Sequence, residues 1–314
     1  MGILSHWMGK KDLVGMDLGH TSVKMVRIKH KSSGMDEAQQ WLFEGAVSTK
    51  NPENVAAFRK FLRKHNLDHA SVVCNIEDPS LKIRRVDLPK MPASDVPDAI
   101  RWQMRDVVDG PVNEFVVRYT VIEDYQNGDV KKTAYVAYAI RKNIIQAQTD
   151  FLKKIGLDVV AIEPTSVSLV AAFDRLEDWE EDQFYAIVDI GEVKSFFIVL
   201  NAGKLFFSRP LMSVCGSAYR NMENDKPGFY TQCAVEIQKS IDGFSLVFRR
   251  DKIDGLYLCG GGADIPEFCE ALQQALAIPT KVLSPAQKLT MKDGSCLYDT
   301  AIGLASYPAT GGKA

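Results

Sequence analysis

Two stretches of this chain repeat one pattern at long separation. Residues 15–28 read GMDLGHTSVKMVRI and residues 187–200 read IVDIGEVKSFFIVL. Each is an apolar run, then Asp-x-Gly, then a short turn carrying a hydroxyl residue, then a second apolar run. Apolar runs joined by a tight glycine-containing turn predict a β-hairpin. The unit starts at residue 15 and recurs at residue 187. Solenoid units recur every ~20–50 residues, so this spacing predicts two similar lobes instead. A chain of 314 residues has room for both.

A hairpin turn of this kind suits phosphate. Glycine and small residues let the backbone approach closely, and successive N–H groups converge on an anion. Gly19, His20, Thr21 and Ser22 make one such turn; Gly191, Glu192, Val193, Lys194 and Ser195 make the other. Facing each other, they would clamp a polyphosphate. Asp17 and Asp189 would lie at the base of the clamp, where a carboxylate suits a hydrated Mg²⁺ better than a phosphate. Lys24 alternates onto the cleft side and would offset phosphate charge.

The rest of the chain alternates strand and helix patterns. Trp41–Val47 reads as a strand, Asn51–His65 as a helix and Ser71–Ile76 as a strand. Residues 79–140 then change character. A strand at Leu81–Leu88 leads through three prolines to a helix capped by Ser94 and running to about Val108. Strands Phe115–Glu123 and Lys132–Ala139 flank an Asn127-Gly128 turn. This is an α+β insertion. Asn143–Ile155 is a helix ended by Gly156. Later come a helix at Thr231–Phe248, a strand at Gly255–Leu258 running into Gly260-Gly261-Gly262, and a helix at Glu267–Leu276. The expected domains are 12–78 plus 141–180 (first lobe core), 79–140 (insertion) and 181–307 (second lobe), with tails at 1–11 and 308–314, the last reading as disordered.

A net charge of −2 and a pI near 6.2 give no reason to expect nucleic acid. The six cysteines form no CxxC pair and have mostly apolar neighbours, so they read as reduced thiols of a cytoplasmic protein. His65 and His69 stand at helical spacing with no third ligand nearby, which favours a solvated helix over zinc. The most apolar stretch, Phe184–Leu200, is interrupted by Asp189, Glu192 and Lys194 and cannot span a membrane. Any membrane role would come through a partner.

The pattern resembles the actin, sugar kinase and heat-shock ATPase superfamily over nearly the whole chain. Residues 15–28 resemble its first phosphate motif and 187–200 its second. LYLCGGGADIPEFCEALQQAL at 256–276 resembles the adenosine motif, in which glycines pass under purine and ribose. AIEPTSVSLVAAF at 161–173 resembles the first connecting segment, with Glu163 in the water-orienting position. AVEIQKSID at 234–242 resembles the helix whose Glu and Lys contact ribose and base, implying Glu236 and Lys239. DTAIGLA at 299–305 resembles the second connecting segment. Taken alone, Glu163 also reads as a helix cap, Gly260–Gly262 as a plain turn and Glu236–Lys239 as a surface pair. The resemblance implies an α/β, actin-like (ribonuclease H-like) two-lobed ATPase fold holding Mg²⁺ and ATP.

The insertion narrows the branch. Its place in the first lobe is similar to that in FtsA and in PilM, the actin-like protein of type IV pilus assembly. LVGMDLGHTSVKMV, IRRVDLPKMPASDVPDAIRWQMRD and GGGADIPEF resemble PilM most. RDVVDGPVNEF departs from the acidic helix and Pro-Phe pair usual there, and Ser195 replaces the usual Thr. The PilM resemblance implies a cytoplasmic scaffold, peripheral to the inner membrane through protein partners. It would bind the cytoplasmic N-terminal tail of inner-membrane PilN in a groove between the first lobe's core and the insertion, and meet other inner-membrane assembly proteins and assembly ATPases. Phe115, Val116, Val117 and Tyr119 are candidate groove walls, or simply insertion core. A small-molecule kinase of the same fold and a filament-forming FtsA-like protein are the alternatives.

Overall fold

The structure, a computed structural model, describes residues 13–307 apart from 33, 49, 213, 223, 224 and 251. The expectations for the two tails lie outside the described residues.

The first hairpin is β1 (Val14–Leu18) and β2 (Ser22–Lys29), followed by β3 (Asp36–Glu44). The third strand therefore starts earlier than the apolar run at Trp41 and stops at Gly45, whose φ of +134° ends it. Helix α1 (Pro52–Lys64) is set by its sequence: the Asn51 side chain accepts from the Asn54 N–H, Pro52 takes the first turn, and Phe58 and Leu62 are buried. Strand β4 (Ser71–Ile76) leads into the insertion, β5 (Lys82–Pro89), α2 (Val96–Met104), β6 (Phe115–Asn127) and β7 (Val130–Arg141). Ser94 does not cap α2. It bonds to Asp95, and no side chain caps that helix, which starts with Pro97 in its first turn and ends four residues short of Val108. Helix α3 (Lys142–Lys154) returns to the first lobe, where β8 (Asp158–Pro164) and α4 (Thr165–Leu176) follow.

The second lobe opens with β9 (Tyr185–Ile190), β10 (Ser195–Asn201) and β11 (Lys204–Leu211). Helices α5 (Gly216–Asn221) and α6 (Lys226–Phe248) come next; α6 begins a turn before Thr231 because Asp225 caps it by accepting from Gly228 N–H. Then come β12 (Gly255–Cys259), α7 (Phe268–Leu276), β13 (Thr280–Val282), β14 (Leu289–Thr290) and α8 (Asp299–Ala305).

The duplication extends through both sheets. The first runs β14-β3-β2-β1-β4-β8 and the second β11-β10-β9-β12-β13. Without β14, each has two antiparallel pairings followed by two parallel ones. The sheets enclose α4 and α8, whose buried faces (Leu169, Phe173, Ala301, Ile302) join Val26 of one sheet to Ile187, Ile198 and Tyr257 of the other. Phe58, Leu62 and Leu152 cover the outer face of the first sheet, and Phe229, Ile237, Phe244 and Phe268 that of the second. Strand β14 and helix α8 carry the end of the chain back to the first lobe: β14 pairs with β3, and α8 packs on β1.

The insertion is a three-stranded sheet, β5-β7-β6. One face packs on α2 through Val86, Tyr135, Ala137 and Ile100. The other contributes Ile122, Ala134 and Val136 to the second lobe's core. Though inserted in the first lobe, it is anchored to both.

Candidate functional site

Both Asp-x-Gly turns border one cleft. In the first, Gly19 N–H donates to the Ser22 carbonyl at 3.0 Å; in the second, Gly191 N–H donates to the Lys194 carbonyl at 3.1 Å. The two turns are therefore closed by the same step. Between them lies a cavity of about 410 Å³, bordered by Asp17, Thr21, Ser22 and Lys24 from the first lobe and by Gly191, Glu192 and Gly260–Gly262 from the second. That volume is within the range of small-molecule sites.

Asp17 is 8% exposed and fully engaged. Lys24 lies opposite it in the β1–β2 register, with Nζ 2.9 Å from Oδ2. Asn75 Nδ2 donates to Oδ1 at 2.7 Å, while Asn75 Oδ1 accepts from the Leu18 N–H. The chain of bonds continues: Asn75 Nδ2 donates to Thr165 Oγ1, and Thr165 Oγ1 donates to Glu77 Oε1 at 3.0 Å. Asp189, the equivalent carboxylate, has Phe196 opposite it instead of a lysine. Burial, then the charges of Glu77 and Asp17, push its pKa up to about 7. Asp299 at the start of α8 is buried, and neither carboxylate oxygen has a hydrogen-bond partner among the described residues. Burial and the Asp189 charge push its pKa well above the carboxylate range.

The glycine loop after β12 is shaped by packing. Gly260 has φ +77°, and a Cβ there would overlap Asp189 Oδ1. A Cβ on Gly262 would overlap Ile190 Cγ2, whereas one on Gly261 would meet only Leu297 Cδ1, at 3.6 Å. Gly260 and Gly262 are thus required by the neighbouring strand β9 rather than by a purine; only Gly261 is free of that constraint.

Several expected residues fall elsewhere. Gly19, His20, Val193, Lys194 and Ser195 belong to the turns, and Asp189 to the strand before the second, but none of the six borders the cavity. Burial and the Lys194 charge lower the pKa of His20. Glu236 and Lys239 pair with each other on α6, 2.7 Å apart, and neither reaches the cavity. Helix α5 stands in their place: Tyr219 and Arg220 border the cavity, Arg220 pairs with Glu192, and the Gly216 and Ser217 N–H groups donate to the Gly191 and Glu192 carbonyls. Glu163 also misses the cleft. It sits on β8 beside Asn75 but borders a separate cavity with Thr120, Tyr138, Lys204 and Tyr307. Of the candidate groove walls, Phe115, Val117 and Tyr119 pack against the insertion's own core, because strand alternation turns them toward α2. The opposite side of β6 presents Thr120 to the Glu163 cavity.

Asn75, Glu77, Thr165 and Asp299 were not singled out by motif. Asn75 and Glu77 did leave a signal: a polar residue inside the apolar run SVVCNI, then an acid directly after it.

Among the described residues no helix is long and apolar enough to cross a membrane, and no group of three or more His, Cys, Asp or Glu is placed to hold a metal by itself. All six cysteines are free, and five are buried.

Duplicated five-stranded sheets, helices between and outside them, and a cleft bordered by paired Asp-x-Gly turns define an actin-like protein. Solved structures agree on the fold. A PilM–PilN type IV pilus biogenesis complex matches with a TM-score of 0.78 at 17% identity, over 94% of this chain and 97% of that one. MreB5 of Spiroplasma citri bound to ADP matches at 0.50 and 12% identity, over 95% of this chain and 96% of that one. The family model described as type IV pilus assembly protein PilM matches residues 15–224 and 220–305. The chain belongs to that family.

Proposed function

We propose that this protein is a nucleotide-binding scaffold of type IV pilus assembly that grips Mg-ATP between its lobes and binds the N-terminal tail of a PilN-type partner. The observation that carries the nucleotide reading is the pair of identically closed turns on one cavity, with Asp17 and Lys24 opposed at its base. The residues fit the group. Asp17, which borders the cavity, and Asp189, which lies behind Gly260 and does not, carry the hard oxygen ligands Mg²⁺ prefers, and a cation would offset the burial and neighbouring charge that raise Asp189's pKa. Lys24 is placed to exchange Asp17 for phosphate. When bound, Mg²⁺ would supply neutralisation of phosphate charge. Thr21 and Ser22 would receive phosphate on one side and Gly191 and Glu192 on the other, with the base end toward Gly261, Tyr219 and Ile265.

For the partner peptide we infer the groove where the insertion meets the first lobe, at Thr120, Tyr138, Glu163 and Tyr307. The cavity there is about 80 Å³, room for one side chain of an extended peptide laid beside the strand, and the likeness to a PilM–PilN complex supports the reading. The test is calorimetry with a synthetic peptide of the cognate PilN N-terminus. Wild type should bind saturably, and Thr120→Arg, an exposed position turned into a plug, should abolish binding. Equal binding by T120R would move the peptide elsewhere.

A further inference from the structure

The water-orienting role that the motif resemblance assigns to Glu163 has no support in the cleft: Glu163 borders another cavity, and among the described residues no side-chain hydrogen bond ties it to the turns. A different carboxylate stands where the two turns converge. Glu77 follows directly on β4, and the charges it feels are Asp17, Lys194 and Lys24, all from the two turns or their flanking strands. Conversely, Glu77 is the largest charge acting on Asp189, ahead of Asp17.

Glu77 is also aimed. Thr165 Oγ1 donates to its Oε1 and is tied through Asn75 to Asp17. Its Oε2 makes no hydrogen bond among the described residues. Glu77 borders not the first cavity but a second one of about 390 Å³, with Thr165, Lys194, Phe196 and Arg209. A nucleotide with its base toward Gly260–Gly262 would have to carry its terminal phosphate past the turns to meet Glu77. Among the described residues no cation forms an ion pair with Glu77. A mostly buried carboxylate held by one hydroxyl is costly for a purely structural role. Burial raises its proton affinity, which suits a base.

We propose that Glu77 is the catalytic carboxylate of this cleft, orienting and deprotonating the water that attacks the terminal phosphate. The inference rests on the nucleotide reading above. The water oxygen bonds to the γ-phosphorus, and the bond from that phosphorus to the β–γ bridging oxygen breaks. Its electron pair leaves on ADP. The water proton passes to Glu77 Oε2 and then to solvent as inorganic phosphate departs. Lys194, exposed and without an ion-pair partner among the described residues, borders the same cavity as Glu77.

The test is single-turnover hydrolysis of Mg-ATP by the full chain, with nucleotide binding and thermal melting measured on the same samples. Glu77→Gln keeps the acceptor for Thr165, so it should fold and bind Mg-ATP within about threefold of wild type. Its hydrolysis rate should fall roughly 100-fold. Glu77→Asp, which restores a carboxylate one methylene short, should recover part of that loss, as a merely structural role would not. E77Q hydrolysing at the wild-type rate overturns the assignment, as does a wild type that binds Mg-ATP without hydrolysing it above the protein-free rate. A wild type that does not bind Mg-ATP overturns the nucleotide reading instead.

Discussion

Gly260, Gly261 and Gly262 adjoin in sequence but answer to different constraints. Two are pressed against β9, and the third has open space beside the cavity. Gly262→Ala should therefore destabilise the fold by about 1–3 kcal/mol, the usual cost of overpacking. Gly261→Ala should cost much less stability and act on ligand affinity. Urea unfolding of both variants checks the contrast. Asp189 belongs to this scale too. Its folded pKa of about 7 lies far above the ordinary carboxylate value. The folded state then binds more protons than the unfolded state between about pH 4 and pH 7. The stability from this group is fully present below its unfolded pKa and is lost as pH rises through 7. Free protein should melt at lower temperature at pH 7.5 than at pH 5.5 on this account. Asp189→Asn should flatten that slope; an unchanged slope would locate the linkage elsewhere, with Asp299 the next group to examine.

Among the elements, α8 does the most to hold the site. Its backbone lies so close to β1 and α4 that a Cβ on Gly15 would overlap the Ala301 carbonyl, and one on Gly303 the Ser168 carbonyl. Gly303→Ala should separate α8 from α4 and lower stability by about 1–3 kcal/mol, read by urea unfolding; full stability would mean the helices can slide apart freely. The elements also explain what the sequence made legible. The hairpins were plain because Asp-x-Gly between apolar runs leaves few other folds, and Asn51-Pro52 marked α1 by its chemistry. Strand β8 was hidden within a stretch matched to a connecting segment, and β14 is two residues whose partner, β3, lies far back in the chain. Glu236 and Lys239 illustrate the limit at the site. Helical spacing places them together, but only the tertiary structure shows that Tyr219 and Arg220, and not they, border the cavity.

At the scale of the whole molecule, the insertion joins the lobes. Its sheet shares the second lobe's core through Ile122, Ala134 and Val136, while the chain leaves it through α3 into the first lobe. A ligand that changes the lobe angle must therefore also shift the Thr120–Glu163 groove, which draws on the insertion, α4, α8 and the β10–β11 turn. Under the proposed function this linkage would let nucleotide state reach a partner, and it depends on the cleft holding nucleotide at all. The most direct test is calorimetric titration of Mg-ATP into wild type and Asp17→Ala. Saturable binding by wild type and loss of it in D17A is the expected result. Equally tight binding by D17A would contradict the account of the cleft.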